Sequence, residues 1–531
     1  MKRPVWLTVA AIVVLSSCSA GPSTSSSTTP LPPSGIATLQ LTGLELTPSF
    51  SPEQLDYTVR CEGSPPSAVT AVAQTATDQV ALSLASPVAF SSMTRLDVVV
   101  SRQGAPLSEY SVRCLPSDFP SVSVERASAS KNWLLTSLVA AGGKNTFSVL
   151  LDPAGVPVWF TRNPGTHQPT LQPTVAGRFL RTVIPDNDLA AFSVISGSEI
   201  TEEDFAGNVL RTWRTPSELF VDHHEAVALP NGNLLVTSYV VDTTVSLDGA
   251  PIAIAPPGIS QPGCTTGPPD KNDKPVVSRL LEINPNGKVV SEIRLNDIVA
   301  NAAINFPLRV NMEVDPAKPA RCGYDMFHMN AIDAVGTDKA LISALALDGV
   351  LMVDRTTHKL LWRLGGADQP ESLKILGDPL GAPKRVHDGR MVSADEVMLF
   401  DNRMLFPDDH ARAVLYKIDE KARTATFVKQ WTTSCSMAPC NSSWGGSARV
   451  SAEGTVFVNT GGRKNGPSVE VFLQDGSSVA RYNFGVAYRS FPLEEVGFSR
   501  SQLRAATDKS GSVTAATSGG CVVEYFGACT R

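Results

Sequence analysis

Three of the chain's seven histidines open copies of one short unit. The copies are HEAVALPNGNLLVTS from His224, HMNAIDAVGTDKALISA from His328 and HDGRMVSADEVMLFDN from His387. In the first and third, an apolar run is centred eleven residues on, at Leu235 and Met398. A fourth copy, GSARVSAEGTVFVNTG, keeps the spacing but starts with Gly446. Repeated units stack on one another, so equivalent positions fall at equivalent places in space. Imidazoles far apart in sequence are thereby expected to gather in one pocket. A neutral imidazole is a nucleophile near pH 7, and its unperturbed pKa of about 6.5 also suits it to move protons. Three histidines can bind zinc as well, and a lone histidine before a strand often only caps a turn. No carboxylate is placed as an obvious zinc helper, although Glu225 and Asp388 each follow a histidine. The expectation is a catalytic cluster without metal.

The elements that must hold these residues read as strands. From about 118 onward a unit recurs: a strand, an Asn-Gly or Asp-Gly type of turn, and further strands ending near Trp or Phe. Six such endings start at Phe147, Phe205, Leu281, Val350, Leu415 and Val469. Asn-Gly and Asp-Gly between apolar runs are strong hairpin signals. Six four-stranded units of roughly 40–60 residues are the arithmetic of a propeller, whose first strands line a central channel. A histidine just before such a strand stands at the channel mouth. Trp159, Trp213, Trp362 and Trp431 end strands and are expected to pack between blades, and Trp444 is a candidate for the mouth.

Residues 37–117 carry short alternating stretches at a spacing of roughly 8–12 residues, which predicts a small all-β sandwich ahead of the propeller. Its segment LTGLELTPSFSPEQLDYTVRC, from Leu41, resembles the cadherin-like sandwich of bacterial surface proteins, which implies a spacer or adhesion module. The fold class is thus all-β: a six-bladed propeller over 118–504 preceded by a β-sandwich. Residues 505–531 read as a disulfide-tied tail, with a short strand able to close the ring.

The first 36 residues are of another kind. Lys2 and Arg3 precede an apolar run from Val5 to Leu15 that is too short to span a bilayer as a mature helix. Leu15-Ser16-Ser17-Cys18 resembles a bacterial lipobox. That resemblance implies removal of the signal peptide of segment 1–18 before Cys18 and lipid on the Cys18 sulfur, hence a protein exported and anchored to the bacterial cell envelope. Segment 19–36, rich in Ser, Thr and Pro, reads as a tether. Nine cysteines less Cys18 leave eight, an even number in an exported chain. Proximity in sequence suggests Cys61–Cys114, Cys264–Cys322, Cys435–Cys440 and Cys521–Cys529. The net charge of −6 over 531 residues and the lack of a basic face argue against nucleic acid as a partner.

The segments DHHEAVALPNGNLLVTS, FHMNAID and RVHDGRMVSADEVMLFDNR resemble the bacterial arylsulfate sulfotransferases over about 118–500. That resemblance implies a six-bladed propeller that moves a sulfuryl group from a phenolic sulfate to a phenolic acceptor, through a transiently sulfated histidine and without cofactor or nucleotide donor. By motif, His387 matches the sulfated nucleophile, ahead of Phe400-Asp401-Asn402. His328 and Asn330 match the pair that holds sulfate oxygens. His224, or its neighbour His223, matches the first histidine. The family's sulfate-clamping arginine is not matched, because Leu345 stands at about its place. Arg385 is the first candidate substitute, then Arg363 and Arg403. A non-catalytic surface-binding propeller and a hydrolase, with water as acceptor, are the competing readings.

Overall fold

A computed structural model describes residues 35–510 except for the stretches 127–130, 142–144, 165–168, 183–193, 197–198, 216–219, 255–262, 312–318, 407–408 and residue 464. Cys18, His167, Cys521 and Cys529 lie outside the described residues.

Apolar alternation builds the N-terminal sandwich first. The strands Ile36–Leu41 and Val69–Ala73 form one sheet. A second holds Asp56–Val59, Ala105–Cys114, Arg95–Arg102 and Gln79–Leu82 in that order. In Arg95–Arg102, Leu96, Val98 and Val100 face inward, every second residue, as a half-buried strand requires. They meet Ile36, Leu39, Tyr57 and Tyr110 from the other strands, and the Cys61–Cys114 disulfide lies in the same core.

Six mainly antiparallel sheets follow, of four, four, seven, four, five and five strands in blade order, and each adds its strands outward from the channel. The inner strands of blades two to six are Thr170–Pro173, Phe220–Ala228, Met329–Val335, His387–Met391 and Ser447–Val450. The inner strand of blade one, Ser490–Leu493, comes from the far end of the chain and pairs with Trp133–Val139. A strand from the near end, Ser123–Arg126, pairs with the outermost strand of blade six, Ser478–Asn483. The ring is therefore closed from both ends of the chain.

Aromatic burial cements neighbouring blades. Trp213 of blade two packs with Val221, Leu234 and Leu281 of blade three, and Trp362 and Trp431 do the same across the next seams. Their indole N–H groups donate to Gly232 O, Glu420 Oε1 and Leu473 O, each in a turn of the following blade. A buried indole thus supplies apolar area and keeps its one donor satisfied. Two more of the expected disulfides, Cys264–Cys322 and Cys435–Cys440, are formed.

The chain beyond blade one departs from the expected tail. No strand after 505 closes the ring among the described residues; Ser490–Leu493 does, and Arg500–Ser510 is a helix. Leu503, Ala506 and Thr507 make one buried helical stripe, spaced three and four residues apart. On the other side, Arg504 bonds Asp56 and Glu109 at 2.6 Å each, and Arg113 bonds Asp508 at 2.7 Å. The helix therefore pins the sandwich to blade one, where Thr507 Oγ1 donates to Val158 O.

Candidate functional site

The three histidine-bearing inner strands share an irregularity. Pairing shifts register between Val221 and Ala226 in blade three, between Met329 and Ala331 in blade four, and between His387 and Arg390 in blade five. Bulges turn side chains away from strict alternation, which is how a regular sheet presents polar groups at a mouth. Backbone strain accompanies them: His328, Arg385 and Asp388 all have φ between 50° and 58°. Blade six, which lacks the histidine, pairs without a shift. Its Gly446 has φ 102°, and a Cβ there would lie 2.2 Å from the Phe400 ring. No histidine fits at that place in the ring.

The fold brings His224, His328 and His387 to one end of the channel around Tyr488. The His224 ring lies 5.1 Å from His328 and 5.5 Å from Tyr488, and His387 lies 6.3 Å from Tyr488. His223 joins them, 4.4 Å from His224. All four histidines are at least nine-tenths buried.

Their partners separate them into two kinds. His224 Nδ1 is 2.7 Å from Asp222, and His328 Nδ1 is 2.7 Å from Asp325. Thr237 holds the Asp222 carboxylate in turn. His387 Nδ1 instead meets the neutral Asn402 Oδ1 at 2.8 Å, and Asn402 Nδ2 donates to Gly445 O. That second bond orients the amide, so the oxygen faces His387 and the imidazole must donate from Nδ1. The Nε2 lone pair of a neutral His387 is left unengaged by this pairing.

Burial lowers both His387 and His224. It takes His387 to about 3 against an upward pull from the Asn402 hydrogen bond, and the Arg489 cation adds a smaller downward one. His224 is lowered by burial to about 4, with Asp222 opposing. Burial works against the Asp222 charge, yet His224 and His223 hold that carboxyl well below the usual range. Beneath the rings, Arg390 and Arg489 both bond Glu225, while Arg390 and Arg449 bond Asp388. Burial opposes the Asp388 charge, but Arg449, Arg390 and Arg489 lower it to about 2.

The remaining expected residues divide. Asn330 is fully buried: Nδ2 donates to Val386 O at 2.8 Å, which ties it to the segment carrying His387, and Oδ1 has no partner. Arg385 is also fully buried, but it reaches Phe306 O at 2.6 Å, with Nε and Nη2 unpartnered. Arg403 pairs with Asp409, and Arg363 borders a separate cavity with Asp297 and Glu371. Leu345 is buried beside Tyr239 and Leu308. Trp444 packs against Gly462.

Tyr488 and Arg489 escaped the sequence reading. They precede the ring-closing strand, which carries no histidine and no repeat signature. The signal that could have found them is arithmetic: six blades need six inner strands, and the segment after Asn483 was the one left unassigned.

Residues 263–485 match the family model for arylsulfotransferase (ASST). The matched stretch contains His328, Asn330, His387 and Asn402, and leaves out His224, Tyr488 and Arg489. No curated protein matches the chain. Among solved structures, a protein of unknown function from Bacteroides caccae is 13% identical, with a TM-score of 0.38, over 69% of this chain and 100% of its own. A periplasmic gluconolactonase from Pseudomonas aeruginosa is 12% identical, at 0.33, over 68% and 99%. The β-propeller domain of Cps50 (Swd1) from Myceliophteria thermophila is 12% identical, at 0.29, over 68% and 89%.

Proposed function

We propose that the protein transfers a sulfuryl group from a phenolic sulfate to a phenolic acceptor in two steps through sulfo-His387. The observation that carries this reading is the contrast between His387, fixed on an amide, and His224 and His328, fixed on carboxylates. An amide holds the imidazole neutral and oriented, which suits a nucleophile. A carboxylate favours the imidazolium, which suits a proton carrier.

In the first step the His387 Nε2 lone pair attacks sulfur, the sulfur–aryl oxygen bond breaks, and the phenolate leaves with the electron pair. With a pKa of about 10, phenol is a tractable leaving group. A protonated His328, or the minor protonated fraction of His224, gives it a proton. In the second step the same histidine takes the acceptor phenol's proton, and the phenol oxygen displaces the sulfuryl group from Nε2. Asn330 and imidazole N–H groups stabilise the sulfuryl oxygens. No metal or cofactor enters these steps.

Around that reaction we place the anchor at Cys18, the tether over 19–36 and a cadherin-like sandwich as spacer, so that the propeller works in the cell envelope. One observation favours a second reading, a non-catalytic binding propeller: Leu345 replaces the expected arginine, and Arg385 bonds Phe306 rather than a histidine.

Release of 4-nitrophenol from 4-nitrophenyl sulfate, with and without added phenol, distinguishes these readings. Release that phenol stimulates and that vanishes in His387→Ala supports transfer. Release without phenol supports hydrolysis. No release under either condition moves the balance to the binding propeller.

A further inference from the structure

The proposed two-step reaction assigns His223 no role, yet the ring is 9% exposed and its Nδ1 makes no well-aligned hydrogen bond, only a 3.3 Å contact with the Asp222 carboxylate. A buried imidazole nitrogen so weakly engaged is costly unless something takes its lone pair. Adjacent strand residues normally point to opposite faces. Here the bulge after Val221 turns both rings to one side, 4.4 Å apart with 36° between their planes. Asp222 lies between them: His223 Nδ1 is 3.3 Å from Oδ1, and His224 Nδ1 is 2.7 Å from Oδ2. One donor atom from each of the three residues falls within 4.8 Å of the others.

We propose that Asp222, His223 and His224 form a binding site for a zinc-class divalent cation at the channel mouth. Zinc bonds to imidazole nitrogen and carboxylate oxygen are about 2.0–2.2 Å, which puts tetrahedral ligands roughly 3.3 Å apart. The His223–Asp222 spacing already matches that edge. The His224–Asp222 hydrogen bond opens slightly as the ion takes Nδ1 and the proton there moves to Nε2, so a neutral His224 releases no net proton. Thr237 Oγ1, donating to Asp222 Oδ2 at 2.9 Å, supplies the outer support that metal-binding carboxylates need. The ion and sulfuryl transfer compete, because a metallated His224 cannot exchange a proton with a phenol. That consequence alone rests on the proposed function; the binding does not.

The test titrates zinc chloride into the purified full-length protein by calorimetry in two buffers of different ionisation enthalpy. One saturable ion per chain with no net proton released by His224 or Asp222 is expected, and affinity at least tenfold weaker in both His223→Ala and His223→Gln. His410→Ala, altered outside the mouth, is expected to bind as the parent does. Crystals soaked in zinc locate the ion without any variant, by an anomalous peak beside His223 Nδ1. Absence of 1:1 binding, unchanged affinity in both His223 variants, or a peak elsewhere overturns the proposal. A protein that binds zinc but releases no 4-nitrophenol keeps the site and loses the sulfotransfer reading.

Discussion

His387 Nδ1 and Asn402 Oδ1 lie 2.8 Å apart, and the amide that makes this contact is locked by its own bond to Gly445 O. The pairing His387↔Phe400 across the hairpin of blade five carries Asn402 to that position. A neutral partner here matters because the ring is buried and held near pKa 3, uncharged at any ordinary pH.

Asn402→Asp tests that relationship. A carboxylate favours the imidazolium, so the pKa of His387 rises and the acid limb of kcat/KM moves to higher pH. Asn402→Leu removes the orienting oxygen and is expected to lower kcat on the order of tenfold or more, with a smaller change in the pH profile. A pH–rate series on 4-nitrophenyl sulfate reads both. An acid limb that stays in place in Asn402→Asp removes His387 from the nucleophile's role.

The same burial makes the fold sensitive to acid. His387 titrates near 3 when folded and at about 6.5 when unfolded, so between these values the unfolded chain binds the extra proton. Stability is full above about 6.5 and falls as pH drops toward 3, by at most about 1.4 kcal/mol per pH unit for this one group. His387→Gln cannot take that proton. Denaturant unfolding between pH 7 and 4 is expected to show a shallower loss in His387→Gln than in the parent. Parallel slopes would mean that His387 is not buried in the neutral form.

The spacing of His224, His328 and His387 could be read from the chain because a repeat puts equivalent residues at equivalent strand starts. Six blades were legible for the same reason: hairpin turns and strand-end tryptophans recur. The partners were not legible. Asp222 lies two residues before its histidine, Asp325 three before and Asn402 fifteen after, so no single spacing identifies them. Arg489 reaches the site only because the ring closes on itself, a contact 264 residues from Glu225 that no local pattern encodes. The helix Arg500–Ser510 was missed because its apolar stripe is short and its other face is held by ion pairs to a different domain.

Gly446 gives a stability prediction at the mouth. Its φ of 102° is in the region that favours glycine, and any Cβ meets Phe400 at 2.2 Å. Gly446→Ala is expected to lose several kcal/mol, since overpacking and a disfavoured backbone add. Gly446→His is expected to lose at least as much, rather than add a fourth catalytic ring. Pairing Gly446→Ala with Phe400→Leu relieves the clash but not the backbone, so partial recovery is expected in thermal unfolding. Full recovery would show that the backbone term is negligible.

Arg489 gives the last prediction. It is buried between Glu225, Asp388 and the Asn330 carbonyl, and its guanidinium lies 5.0 Å over Tyr488. Removing one member of a buried ion cluster leaves its partner charged and unpaired, at about 3–5 kcal/mol. Arg489→Met is therefore expected to destabilise strongly. In Arg489→Met with Glu225→Gln the uncompensated carboxylate is gone, and much of the loss is recovered. Catalysis separates the two possible roles that stability alone leaves mixed. Arg489 withdraws charge from His387 and positions Asn330, so the stable double variant should still lose kcat and gain an acid limb at higher pH, because His387 no longer faces a cation. A double variant that recovers both stability and the parental pH profile would make Arg489 a member of the packing alone.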